Sequence, residues 1–318
     1  MILNFLKMLP HNTKIDFFGH RFYAVFASLI IIGGSLTCMA VKGLNFGIDF
    51  TGGTVMEIET PVDPDIASLR SDLNKLELGE ISIQEFGHTR GLMIRMRQQE
   101  GGPETQQAAI EKVRTAIEAV YGEGKTDFRR TEFVGPQVGA ELKRDGTLAI
   151  AIALLGIMGY IWVRFEWQYG VGSMLALLHD VIGILGLFSL TQMHFDLSTL
   201  AAILLVSGYS INETVIIFDR IRETLRKFKK LPMDQIINYS INSTLSRTVM
   251  TSGSTLLAIF ALWLFGGEVI RSFVSALFFG ILIGTHSSYF VSSLSLYYLN
   301  LRPKAGGVDN GAETSEAV

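Results

Sequence analysis

Six stretches of the chain are apolar over roughly the twenty residues that a helix needs to cross a bilayer core. They run from Phe22 to Val41, Gly146 to Val163, Tyr169 to Leu190, Leu197 to Phe218, Leu245 to Gly267 and Ser272 to Asn300. Between the first and second, the pattern changes period. Val55 to Glu59 reads as a strand, and Asp63-Pro64 opens a helix with an acidic cap and a proline in its first turn. Ile66, Leu69, Leu73 and Leu76 form the apolar face of that helix. Ile81 to Phe86 roughly alternates; Leu92, Ile94 and Met96 alternate with Met93, Arg95 and Arg97. After the Gly101-Gly102-Pro103 loop, Ile110, Val113, Ile117 and Val120 line a second helix, and Asp127 to Val134 closes as a strand.

The order β-α-β-β-α-β predicts a split βαβ, ferredoxin-like α+β domain inserted between the first and second of six transmembrane helices. The expected organisation is a cytoplasmic segment 1–21, a membrane helix 22–41, an extracytoplasmic (periplasmic) domain 42–145, a five-helix membrane domain 146–300 and a disordered cytoplasmic tail 301–318. Orientation follows the short loops. Lys7, Lys14 and Arg21, then Arg164, then Arg220, Arg222, Arg226, Lys227, Lys229 and Lys230, then Arg302 and Lys304 all fall on one side of a six-span path, which predicts both termini in the cytoplasm. The turn around Glu268 lies on the other side, where Arg271 is the exception.

Composition agrees with a membrane protein. Of 318 residues, 48% are hydrophobic and 18% charged, with a mean hydropathy of +0.35. Of the 57 charged residues, 31 lie between Lys42 and Asp145, and Phe22 to Val41 holds none. A net charge of −3 without a basic face argues against nucleic acid as a partner. The single cysteine, Cys38, excludes an intrachain disulfide. Thr37 stands where a lipoprotein box wants a smaller residue, and the apolar core is too long for a cleavable signal, so a retained span is expected.

Ionisable residues inside spans are costly and mark function by default. Glu213 is in the fourth span, five positions before its expected end at Phe218 and so about 8 Å from it. His179 and Asp180 lie near the middle of the third span, and Arg247 near the start of the fifth. Ser272, Ala276, Gly280, Gly284, Ser288 and Ser292 recur every fourth residue, a small-residue stripe suited to close helix packing. Asp196 suits a helix cap. His11, His20, His88, His194 and His286 lack metal-ligand spacing, and no metal or cofactor is expected. Candidates for a hydrolase, His179 and Asp180 with Ser207 or Ser210, form neither a nucleophile elbow nor a paired-aspartate constellation, so an enzyme is not expected.

Several segments together carry a resemblance. Gly47-Ile48-Asp49-Phe50-Thr51-Gly52-Gly53, Val134 to Leu142 and Leu177-Leu178-His179-Asp180-Val181 come first. Gly208 to Thr214 running into Phe218-Asp219-Arg220-Ile221-Arg222-Glu223 and Leu245-Ser246-Arg247-Thr248 with Thr251-Ser252-Gly253 follow. In this order the chain resembles the SecF family of bacterial protein-translocase subunits, within the resistance-nodulation-division (RND) superfamily. The resemblance implies half of an RND-type transporter in the inner membrane, paired with SecD, associated with the SecYEG channel and YajC, and using the proton gradient to promote preprotein export. It also implies a proton relay at Glu213 and Arg247. Glu213 stands where many SecF sequences have Asp. Asn212 and Thr214 are expected to add hydrogen bonds beside the carboxylate, and His179-Asp180 a second polar element. A sheet edge along Val55 to Glu59 or Leu92 to Arg97 is expected to hold extended substrate. The alternative is a proton-coupled RND-type exporter half for lipid or small molecules.

Overall fold

The structure is a computed structural model that describes residues 13–79, 81–86, 88–267, 270–299 and 301. Lys7, His11, Glu268, Arg302, Lys304 and the expected tail from Ala305 lie outside the described residues. Among the described residues, six helices are long and apolar enough to cross a membrane. In chain order the elements are α1 (Arg21–Lys42), a short α2 (Ile48–Thr51), β1 (Gly53–Glu59), α3 (Ile66–Asn74), β2 (Ile81–Phe86), β3 (His88–Met96), α4 (Pro103–Tyr121) and β4 (Asp127–Val134). Then come α5 (Pro136–Arg164), α6 (Trp167–Thr191), α7 (Leu197–Lys227), α8 (Met233–Phe265) and α9 (Arg271–His286); a π-helical turn, Ser287–Ser292, joins α9 to α10 (Ser293–Tyr298).

Three of these helices outrun their apolar segments. α5 starts ten residues before Gly146, so the returning junction is helix, not loop; α7 continues nine residues past Phe218, and α8 begins twelve before Leu245. Hydropathy marks where lipid is met, whereas a helix continues until its backbone bonds are broken or capped. The extensions of α7 and α8 bury Ile221, Ile236, Ile237 and Ile241 with Phe17 and Phe18. Asn238 and Asn242, one turn apart on α8, receive the preceding chain: their Oδ1 atoms accept from the amides of Phe18 at 2.8 Å and Ile15 at 2.9 Å. α6, α7 and the α9–α10 span are at least half buried, whereas α1, α5 and α8 are mostly exposed.

The strands form one antiparallel sheet in the order β2-β3-β1-β4. Met56, Ile58, Ile81, Ile83, Leu92, Ile94 and Met96 pack on Leu69 and Leu73 of α3 and on Ala109, Val113 and Ile117 of α4. The cap of α3 is Asp65 rather than Asp63: its Oδ1 accepts from the amides of Ala67 at 3.0 Å and Ser68 at 3.1 Å. Val120, expected on the apolar face of α4, is half exposed, while Gln106 is buried and donates to Thr54 at 2.8 Å. β1 and β3 are central strands with both edges paired, so neither can take an added strand; the sheet edges are β2 and β4.

The segment Gly47 to Gly53 is a structural joint. Gly47 donates to the Phe195 carbonyl at 2.7 Å and Phe195 to the Asn45 carbonyl at 2.8 Å. Asp49 Oδ2 accepts from the Leu197 amide at 2.9 Å, and Asp196 Oδ1 from the Thr199 amide at 2.8 Å, so two carboxylates cap the start of α7. Gly53 has φ +129° and a Cβ there would stand 2.5 Å from the Met96 carbonyl, which leaves glycine as the residue that fits. The polar face of the sheet lies over this joint across a cavity of about 500 Å³ lined by Asp49, Glu57, Gln84, Arg95, His194 and Asp196, among others.

Gln84 Nε2 on β2 and His194 Nε2 lie 3.3 Å apart across that cavity. Burial, helped by Arg95 and opposed by Asp196, holds the His194 imidazole down to about 4 from 6.5. Separating the domain from the joint would return His194 to its ordinary value and so take up a proton in the window between these two values. The seating is therefore expected to be strongest above about pH 6.5 and to weaken as pH falls towards 4. Distances between spin labels on β2 and at the start of α7 are expected to lengthen across that window, and His194→Gln to remove the pH dependence.

Candidate functional site

The site forms where α6, α7, α8 and the π-helical turn meet. α9 reaches α7 through the small-residue stripe: a Cβ on Gly280 would stand 2.7 Å from Val206 Cγ2, and one on Gly284 3.2 Å from Ser210 Cβ. Ala276 and Ser288 are fully buried on the same side. Without side chains at 280 and 284, α9 approaches closely enough for polar groups of neighbouring helices to meet directly.

Two carboxylates are enclosed. Asp180 is 1% exposed; Ser210 Oγ donates to its Oδ2 at 2.6 Å, and His179 Nδ1 lies 3.3 Å from its Oδ1. Glu213, 4% exposed, lies three residues after Ser210 on the same face of α7. Ser252 Oγ on α8 donates to Glu213 Oε1 at 2.6 Å, and Tyr209 Oη donates to Ser252 at 3.1 Å. Glu213 Oε2 is buried with no hydrogen-bond partner among the described residues. Thr214 Oγ1 and Ser288 Oγ are 2.9 Å apart, and Ser288 Oγ donates to the Ser210 carbonyl at 3.3 Å, which ties the π-helical turn to α7 between the two acids. The wide turn directs a run of serines, 287, 288, 292 and 293, into the bundle, all buried.

Two candidate residues fall outside this cluster. Arg247 is exposed on α8 and forms no ion pair with Glu213. Ser252 faces the carboxylate, and five residues separate the two on the helix, about 140° around its axis. The buried face of α8 runs Ile241, Thr244, Thr248 and Ser252, and Arg247 lies off it. Asn212 is likewise exposed, about 100° from Glu213 around α7, so Thr214 alone of its two neighbours has a buried partner. Because α7 continues to Lys227, Glu213 is about 21 Å from the helix end rather than 8 Å. Ser252, Tyr209, Ser210 and His286 enter the network without having been given a relay role from the sequence, although Ser210 stood as a hydrolase candidate and Tyr209 and Ser252 lie in the motifs of the resemblance; the four-residue spacing of Thr244, Thr248 and Ser252 is the signal that picks out the α8 face.

A carboxylate with a single hydroxyl donor in an apolar bundle is poorly compensated as an anion and well placed as a neutral acid. Such a group is a candidate for taking up and releasing a proton. Gly284→Leu is expected to force α9 away from Ser210 and Asp180, costing about 1–3 kcal/mol. Thermal unfolding of the detergent-solubilised protein would report this as a lowered Tm, with Gly284→Ala lowering it less, since its Cβ would stand 3.2 Å from Ser210 Cβ.

Comparisons with known proteins converge. The family described as "Protein export membrane protein SecD/SecF, C-terminal" matches residues 112–302, and the "SecD/SecF GG Motif" matches residues 39–60. The chain is 45% identical over 288 residues to the protein translocase subunit SecF of Rickettsia rickettsii, covering 91% of this chain and 92% of that one. It is 42% identical to the SecF of Cereibacter sphaeroides, covering 98% and 95%. Its structure resembles the crystal structure of SecDF, a translocon-associated membrane protein from Thermus thermophilus, with a TM-score of 0.81 and 35% identity over 93% of this chain. It spans 40% of that longer chain. The super-membrane-facing form of SecDF gives a TM-score of 0.67 at 35% identity, covering 91% of this chain and 39% of that one.

Proposed function

The chain belongs to the SecD/SecF family of protein export membrane proteins, as a SecF subunit of the protein translocase, and on that footing we propose that it couples proton flow to preprotein export through Glu213. The enclosed carboxylate carries this reading: an acid inside the membrane-spanning bundle, one oxygen held by Ser252 and the other without a hydrogen-bond partner among the described residues, is costly to keep there unless it acts. Asp180 and His179 form the second half of the relay. Protonated, each acid is neutral and fits the apolar bundle; ionised, each calls for water or a cation, and the helices shift to supply it. Arg247 acts from outside the resting cluster, since it does not pair with Glu213 here; a turn of α8 about its axis would bring it inward. No covalent chemistry is involved, and the energy source is the proton gradient.

In this reading the bundle is one half of an RND-type pair, with SecD the other half. The matched SecDF chain, more than twice as long, supports such an arrangement. The exposed apolar surfaces of α1, α5 and α8, with Phe22, Ile152 and Leu257 among them, meet lipid or SecD. The complex lies in the inner membrane, both termini in the cytoplasm, beside the SecYEG channel and YajC. The β-α-β-β-α-β domain is a ferredoxin-like periplasmic module that handles the emerging chain. The exporter alternative is set aside, because relatives at 42–46% identity carry the translocase name.

Replacing Glu213 tests the relay. In cells depleted of their own SecF, Glu213→Gln at matched membrane abundance is expected to abolish proton-driven export, whereas Glu213→Asp, which keeps a carboxylate, retains most of it. Full export by the Gln variant would remove Glu213 from the mechanism. For the substrate, photocrosslinkers at the open edge, at Arg130 or Thr131 of β4, are expected to capture a translocating chain, while those on central β1 at Val55 or Glu57 capture none.

A further inference from the structure

One histidine of the bundle interior, His286, remains unused by this account. His286 closes α9, and its Nε2 lies 3.0 Å from Ser28 Oγ on α1. Its ring centre is 5.9 Å from that of His179. His179 is itself committed at Nδ1 to Asp180, and its Nε2 is buried with no hydrogen-bond partner among the described residues. The chain of contacts Ser210, Asp180, His179, His286, Ser28 therefore crosses the bundle from α7 through α6 and α9 to α1.

The groups around His286 are few. From α6 come His179 and Asp180, the titratable groups that act on it; from α1 come the Ser28 hydroxyl and the Ala24 carbonyl one turn before it. The Phe290 ring, centred 5.2 Å away, covers the side towards the π-helical turn. Among the described residues, Asp180 is then the single carboxylate close to both imidazoles. α1 otherwise packs on α6 through small groups, where a Cβ on Gly186 would stand 1.9 Å from Ser35 Oγ. Beyond Lys42, α1 leads through the Gly47 to Gly53 joint into the sheet.

We propose that His286 is a further proton-carrying residue of the relay and that its charge is read by α1 through Ser28. The inference rests on the relay reading above. The Nε2 proton of the His286 imidazolium passes to His179 Nε2, directly after a ring rotation or through one water, Nδ1 keeping its own proton, while the Nδ1 proton of His179 moves to the Asp180 carboxylate. One cation and one anion become two neutral imidazoles and a neutral acid, so charge and protons balance. As it loses its proton, His286 Nε2 changes from a donor towards Ser28 to an acceptor, and the Ser28 hydroxyl changes from accepting to donating. The hydrogen bond thus reverses on the helix that leads to the domain. This links the protonation state of buried Asp180 to α1 without any contact between Asp180 and α1.

The test uses the full chain reconstituted with its SecD-type partner, in a Cys38→Ser background, with export followed across pH and spin labels at Val41 and Leu190 reporting the α1–α6 separation. His286→Gln is expected to lower proton-driven export about tenfold or more and to abolish the pH response of the label distance. Ser28→Ala is expected to abolish the distance response while export falls less. Wild-type export and distance response in His286→Gln, with Glu213→Gln inactive, would overturn the inference and leave the relay standing. Full export in Glu213→Gln would instead overturn the relay reading and this inference with it. If His286→Gln fails to accumulate, Ser28→Ala decides: an unchanged pH response of the distance overturns the proposal.

Discussion

Holding carboxylates inside a bundle that water does not fill is the constraint on which the rest of this structure depends. An ionised acid in such a place is costly unless it is paired and hydrogen-bonded. Asp180 has a histidine and a serine, and Glu213 has one serine. The first serine contact needs α7 against α6 and the second α8 against α7, and the missing side chains at Gly280 and Gly284 let α9 close over Val206, Ser210 and Asp180. The stripe of small residues therefore packs α9 directly over Asp180 and Ser210, and its Ser288 bonds to α7 between the two acids.

The same bundle explains the unequal burial of the helices. α6, α7 and the last span surround the polar cluster, while α1, α5 and α8 present apolar faces outward. Those faces are costly in water and favourable in lipid or against another subunit, as expected of one half of a two-part transporter. α1 and α5 are also the two helices between which the sheet domain is inserted. They join the domain through short segments, at Gly52 and Gly53 on one side and Gly135 on the other.

The domain meets the membrane bundle differently. Across the intervening cavity the contacts are polar, with Gln84 and His194 the bonded pair and Arg95 held near Asp49 and Asp196. Burial lowers the Arg95 guanidinium, and these two aspartates oppose that effect. Both are already used to cap α7, so one pair of acids anchors the helix and neutralises the overlying strand. Polar interfaces of this kind separate at less cost than apolar ones, because water replaces what is lost.

How much of this was readable beforehand divides along a physical line. Local periodicity was enough for six spans, for the β-α-β-β-α-β order and for Glu213 and Asp180 as acids in apolar surroundings, because these depend on residues within a few turns of one another. The ends of α5, α7 and α8 were not legible, since polar helix carries no hydropathy signal once packing sustains it. Nor were the partners. Ser252 rather than Arg247 meets Glu213, Thr214 rather than Asn212 turns inward, and His286 joins His179, because the rotational setting of each helix follows from what it packs against. The edges of the sheet were hidden for the same reason: strand order is a long-range pairing, and the chain order that suggested β1 and β3 for substrate says nothing of their place at its centre. What the sequence determined by itself was which chemistry the membrane would contain. Tertiary structure alone decided which groups that chemistry would touch, because contact between distant helices is set by shape and angle, and neither is written in the spacing of any one segment.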